Sequence, residues 1–278
     1  MLFERHNVRK HSLYPLLTSF LTTGAMITAA LPFLSTPAAG QFPADSTIPK
    51  EKRSKRRIGN FAPGPTPHKD GHVDISGVWG YAGYTSDIAK DYDVGALPMT
   101  PSAEKFFKEV QANQGIYDPE ARCQPAGVPR RDPYPSKIIQ EPNLIVILFE
   151  GSMHSYRQIF MDRKEHPKDA QPTWFGDSIG HWDGDTLVVD TVGFNGKTWL
   201  DLAGHPTSDQ LHVVERYSRP VLGELKLDIT IEDPVNYTRP WNVTELMPLM
   251  VGEDLIEYVC TENERDVRHL EPLGNKSR

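Results

Sequence analysis

From about residue 138 onward, apolar and polar positions alternate with a period of two. In ELKLDITIED (224–233), Leu225, Leu227, Ile229 and Ile231 fall on one face, and Glu224, Lys226, Asp228 and Thr230 on the other. Stretches of strand character also occupy 144–150, 155–162, 178–182, 185–192, 211–219, 241–250 and 255–260. Their spacing predicts four successive hairpins, turning after Gly151, at Asp183-Gly184, near Gly223 and at Gly252-Glu253-Asp254. VDISGVWG (73–80) supplies an earlier strand. Strands and helices do not alternate, which disfavours a doubly wound sheet. The pattern predicts a mainly β protein, an antiparallel barrel or strongly curved sheet of about eight to nine strands, with one packed helix near its N-terminal side. That helix is TPSAEKFFKEVQANQG (100–115). Thr100 can cap it and Pro101 suits its first position. Ala103, Phe106, Phe107 and Val110 follow helical spacing on one face toward the sheet, and Gly115 ends it.

Several strands carry a carboxylate among apolar neighbours on the same face. Val188, Asp190 and Val192 form one such set, and Leu211, Val213, Glu215 and Tyr217 another. Glu150, Glu245 and Glu257 stand in similar settings. Inside a barrel such groups lose hydration and become usable as acids or bases, and a few polar groups in an apolar cavity orient a bound molecule. On an outer face they are ordinary solvated residues. The bulk of their neighbours points Asp190 and Glu215 inward, whereas Glu245 and Glu257 are expected on the outside. Arg157, in SYRQIF, could stabilise developing negative charge, and His154, ahead of that strand, could shuttle a proton. Tyr217, Trp182, Glu150 and His212 are candidate ligand contacts.

The remaining chemistry is sparse. The chain contains no GxSxG elbow, P-loop or dinucleotide fingerprint. There is no HExxH and no cysteine pair at zinc spacing, and His68 and His72, four apart with Asp74 close by, fall in the linker, so no cofactor and no metal are expected; His154, His205 and His212 could converge only through the fold. A net charge of −7 speaks against a nucleic-acid footprint. The first 40 residues read as a cleaved export signal: Arg5, Arg9 and Lys10, an uncharged apolar run over 14–34, then the small residues of STPAAG. A retained membrane anchor is the alternative; cleavage would leave no membrane span. Residues 41–72, with the basic run KEKRSKRR (50–57), read as a linker, and 73–270 as one β-rich domain. In an exported chain, Cys123 and Cys260, the two cysteines present, are expected to form a disulfide; buried thiols or a nucleophilic cysteine are the alternatives.

Gly77-Val78-Trp79 on a first strand resembles the Gly-x-Trp of lipocalin-like barrels, in which the Trp closes one end. EGSMHSYRQIFMD (150–162), HPKDAQPTWFGDSIGHWDGDTLVVDTVGF (166–194) and LHVVERY (211–217) together resemble a widespread family of exported bacterial proteins to which no activity is attached. That resemblance implies export and a β-rich fold and assigns no catalytic residue. The sequence thus points to a periplasmic or secreted barrel for a small, partly hydrophobic molecule. As an enzyme it would be a cofactor-independent isomerase, lyase or hydrolase using Asp190, Glu215, His154 and Arg157. The alternatives are a carrier of the same shape and an envelope interaction module.

Overall fold

A computed structural model describes residues 63–80, 86–130, 134–151 and 155–262; the expected leader, the run 50–57 and His154 lie outside them. Two short strands, β1 (His68–Lys69) and β2 (His72–Val73), form a separate hairpin. The main sheet has nine strands: β3 (Gly77–Trp79), β4 (Ser136–Glu141), β5 (Leu144–Phe149), β6 (Tyr156–Phe160), β7 (Asp177–Asp183), β8 (Thr186–Val192), β9 (His212–Val221), β10 (Glu224–Glu232) and β11 (Trp241–Pro248). Their spatial order is their chain order. The two edges meet: Gly80 N–H donates to the Pro248 carbonyl and Met250 N–H to the Val78 carbonyl, both at 2.9 Å, around an antiparallel bridge between Trp79 and Leu249. The result is a nearly closed barrel. Gly77 suits this closure, because its φ is +143° and a Cβ there would lie 2.8 Å from Leu249 Cδ1.

Alternation sorts the side chains. Leu225, Leu227, Ile229 and Ile231 of β10 point inward, joined by Ile145 and Ile147 of β5, Leu187 and Val189 of β8 and Val243 and Met247 of β11 in one apolar core. One end of the barrel is plugged. Trp79 is fully buried there and its Nε1–H donates to the Ile75 carbonyl. The Arg219 guanidinium lies 4.9 Å from the Trp79 ring centroid and donates to the carbonyls of Asp74 and Leu222. Gln140 bonds the backbone of Val73 and Ile75. Contacts to the barrel start before the expected boundary at residue 73, since Leu222 N–H reaches the Gly64 carbonyl and Thr66 the Arg219 carbonyl.

The other end carries the long connections. α1 (Ile88–Asp91) and α2 (Pro101–Ala112) lie between β3 and β4, and a loop from 193 to 211 joins β8 to β9. Thr100 caps α2 as its sequence predicts, accepting from Ala103 N–H. The helix packs on the 193–211 loop as well as on its own connection, not flat on a sheet. Ala103 and Val110 are buried, Phe107 stacks on His205 with ring centroids 4.3 Å apart, and Phe106 meets Trp199 edge-on while staying exposed.

Two expectations change. The sheet is mixed: β6 and β7 run parallel, joined at Ile159 to Ser178 and Phe160 to Ile179. Parallel neighbours need a crossover, and residues 161–176 supply it. Residues 255–260 form no strand. The edge of β11 that such a strand would use meets β3 at the closure, so the chain turns away past β4 and β5. It is held there by Lys137 on Asp254, by Ile256 N–H on Glu150, and by the Cys123–Cys260 disulfide, whose Cα atoms are 5.7 Å apart. Among the described residues no helix is long and apolar enough to cross a membrane.

Candidate functional site

The polar groups inside the barrel gather around Glu215. Position 215 falls on the inward face of β9 between Val213 and Tyr217, and its register partners are Val189 on β8 and Ile229 on β10. Arg157 projects inward from β6. Its guanidinium is paired with the Glu215 carboxylate and donates to Ser178 Oγ at 3.0 Å on β7 and Thr191 Oγ1 at 2.8 Å on β8. Tyr217 O–H donates to the second Glu215 oxygen at 2.9 Å. Exposure is 0% for Glu215, 1% for Tyr217 and 3% for Arg157, so the whole constellation is out of water. Charge on each partner offsets the desolvation of the other, and hydroxyls supply further hydrogen bonds. The sequence expectation that Glu215, Arg157 and Tyr217 share one interior holds.

Asp190 is not part of it. In β8, Leu187, Val189 and Thr191 face inward, and Asp190 lies on the outer face with its side chain 36% exposed. There Oδ1 is 3.1 Å from His212 Nε2 and 3.1 Å from His166 Nε2. Burial raises the Asp190 pKa, but the bonds and charges of His212 and His166 outweigh that and hold it below the usual carboxylate value. His212 is shifted the other way, up from the ordinary imidazole value, by its hydrogen bond to Asp190 and its proximity to Glu232, with burial opposing. His212 is therefore an outer-face residue and not an interior ligand contact. The wall of the sheet separates Asp190 from Glu215, so the pair does not form one acid–base dyad.

The other candidates disperse. Trp182 sits beneath His72, with rings stacked at 4.7 Å, near the turn of the β7–β8 hairpin. Glu150 follows β5, and its carboxylate accepts the Ile256 N–H, tethering the C-terminal segment. His205 belongs to the loop after β8 and His212 to the outer face of β9, so the two do not converge. Glu245, expected outside, is buried on the inward face of β11 between Val243 and Met247, whereas Glu257 is exposed. Alternation with Trp241, Val243 and Met247 was the signal that places it.

One cluster of metal-ligand type was not anticipated from sequence: Asp87, Asp201 and His205, with ligand atoms within 4.8 Å of one another and all three buried. Asp201 already accepts from the N–H groups of Ile88, Gly204 and His205 and from His205 Nδ1 at 2.5 Å. Those four donors use its lone-pair positions. Asp87 caps α1 through Ala89 and Lys90 N–H and pairs with Lys90 Nζ at 2.6 Å. Burial raises the Asp87 pKa and the contacts with Lys90 and His205 more than reverse it. The arrangement pins α1 to the 193–211 loop and leaves Asp201 no free position for a cation. Comparison with family models, curated proteins and solved structures finds no match for this chain.

Proposed function

We propose that this protein is an exported binding barrel for a small, partly hydrophobic organic molecule, with Arg157, Glu215 and Tyr217 as the polar anchor of its interior. The observation that carries this reading is a fully buried ion pair with three hydroxyl partners on an inner wall that is mostly apolar and also buries Glu245. A buried pair is weak support for stability, since apolar residues of the same volume serve a core equally well, whereas orienting a ligand requires such groups. Export is supported by the signal-like leader and by a disulfide that suits an oxidising compartment. Carriage is preferred over acid–base turnover because Asp190 and Glu215 lie on opposite faces of the sheet. An isomerase, lyase or hydrolase reading retains one supporting feature, the buried Asp201–His205 contact, in which a carboxylate fixes the orientation of an imidazole.

The test is native mass spectrometry of the unreduced protein isolated from cells that export it. Excess mass that disappears on denaturation, and is absent from an Arg157→Met/Glu215→Leu double variant that still folds, supports the interior site. A bare mass, together with no uptake of the fluorescent probe N-phenyl-1-naphthylamine, refutes it.

A further inference from the structure

Among consecutive strands of the main sheet, β6 and β7 share the shortest ladder. It rests on two residue pairs, whereas β7 and β8 share seven and β9 and β10 share eight. Two polar networks cross that same seam. On the inside, Arg157 of β6 reaches Ser178 of β7, Thr191 of β8 and Glu215 of β9. On the outside, the crossover 161–176 lays His166 and Arg163 over the sheet. His166 Nδ1 is 2.8 Å from Asp177 Oδ1 on β7, and its Nε2 is 3.1 Å from Asp190 Oδ1 on β8. Arg163 lies 3.1 Å from the other Asp177 oxygen. From β9, His212 Nε2 reaches the same Asp190 Oδ1 at 3.1 Å, while its Nδ1 is 3.6 Å from Glu232 Oε2 on β10.

The groups therefore alternate as Asp177, His166, Asp190, His212, Glu232. An ionised carboxylate can only accept, so each imidazole standing between two of them makes its full set of contacts only when both ring nitrogens carry hydrogen. With both imidazoles protonated, three cations (Arg163, His166, His212) face three carboxylates (Asp177, Asp190, Glu232). With both neutral, Arg163, on Asp177, is the cation left among these six groups, and each ring turns a lone pair toward a carboxylate.

We propose that this chain of carboxylates and imidazoles is a pH-operated clasp on the β6–β7 seam, closed while both histidines are protonated and loosened as they lose their protons. The clasp holds the crossover against β7 and β8, and the crossover is what keeps β6 beside β7. As a gate to the interior it rests on the binding function proposed above; as a clasp it stands independently of any ligand. The directions of the shifts agree. The raised pKa of His212 means its contribution is complete below the unfolded imidazole value and is lost as pH rises through the folded one. The lowered pKa of Asp190 means its contribution is complete above the unfolded carboxylate value and is lost as pH falls through the folded one. The Asp190–His212 link is thus complete between about pH 4 and about pH 6.5 and loosens above that range.

The test is amide hydrogen exchange, corrected for the intrinsic chemical rate, at about pH 5.5 and about pH 8. Protection at 158–160 and 177–180 is expected to fall about tenfold at the higher pH, while the β9–β10 ladder keeps its protection. In a His166→Gln/His212→Gln variant the seam should show no such pH dependence. Asp190→Asn, which retains both imidazoles but removes the charge they share, should lower seam protection at about pH 5.5, and it serves if the double variant does not fold. Equal seam protection at the two pH values in the wild type, or a pH dependence that survives in the variants, overturns the clasp. A bare native mass and no uptake of N-phenyl-1-naphthylamine, with a pH-dependent seam, overturn the binding function alone.

Discussion

Glu215→Gln is the most informative single change in this protein. It keeps the size of the side chain and an oxygen for Tyr217, and removes the negative charge facing Arg157. The guanidinium is 3% exposed, so it cannot recover water by a small rotation. Removing one partner of such a pair costs about 3–5 kcal/mol, because the remaining charge stays buried. A domain of this size is stable by about 5–15 kcal/mol, so the loss is a large part of the total. With a urea m-value of about 2 kcal/mol/M, a loss of about 4 kcal/mol lowers the unfolding midpoint by about 2 M. The assay is urea unfolding of the unreduced protein, followed by tryptophan fluorescence and far-UV circular dichroism. The companion is Arg157→Met/Glu215→Leu, which removes both charges and should recover most of that loss or exceed wild type. Asp190→Asn is the control on the outer face, with an expected loss of about 1 kcal/mol, because that carboxylate is partly solvated. A Glu215→Gln loss below about 1 kcal/mol, or a double variant as unstable as the single, would refute the assignment of an uncompensated buried charge.

Two further changes probe the frame. Replacing Cys123 and Cys260 by Ala opens a cross-link between residues 137 apart in sequence, and should lower stability by about 4–5 kcal/mol on the chain-entropy model, read as the difference between oxidised wild type and the variant in urea. Gly204→Ala places a Cβ 2.3 Å from Val110 Cγ1 at a residue with φ of +91°, so about 2–4 kcal/mol should be lost, and Val110→Ala in the same chain should restore only part of it, because Val110 Cβ remains 2.9 Å away and the backbone strain stays, as thermal unfolding would report.

The sequence was most legible where one face of a strand is plainly wet. β10 alternates cleanly, and its orientation follows from that alone. Glu215 and Tyr217 share a parity with Val213, which is enough to bring them inside together. β8 is harder, because TLVVDTV is apolar on both faces: Leu187 and Val189 fill the core, and Val188 is also buried, at 7% exposure, on the outer side. Its orientation was nonetheless written in the neighbouring strand. The turn, at Gly184-Asp185 and so one residue later than expected, pairs Ile179 with Asp190, His181 with Val188 and Asp183 with Thr186. Cross-strand partners share a face, so Asp190 lies on the side that carries Asp177, His181 and Asp183, which is the polar side. The parallel seam had a signal too, in the length of the 161–176 connection, which is far more than a hairpin requires. What alternation does not contain is the folding of that connection back over β7 and β8, and with it the meeting of His166 with Asp190.

That meeting follows from a count of strands. Nine strands follow one another around the barrel in chain order, and β3 meets the chain beyond β11 in antiparallel fashion. Directions that alternate around a closed ring require an even number of strands. With nine, one neighbouring pair must run parallel, and here it is β6 and β7. A parallel pair forces a crossover, the crossover must pass over an outer face, and the seam beneath it has few ladder bonds of its own. The protein places polar bridges at that location on both sides of the wall: Arg157 to Ser178, Thr191 and Glu215 within, and His166 and Arg163 to Asp177 and Asp190 outside. A purely apolar wall would leave the seam to packing that has no direction, whereas these bonds fix β6 against specific atoms of β7, β8 and β9. The inner bridge rests on a charge pair away from water, and the outer one on imidazoles set between carboxylates. The clasp proposed above puts opening at this seam under solvent pH from the outside, and under the proposed binding function the inner pair resists it until a ligand replaces its hydrogen bonds.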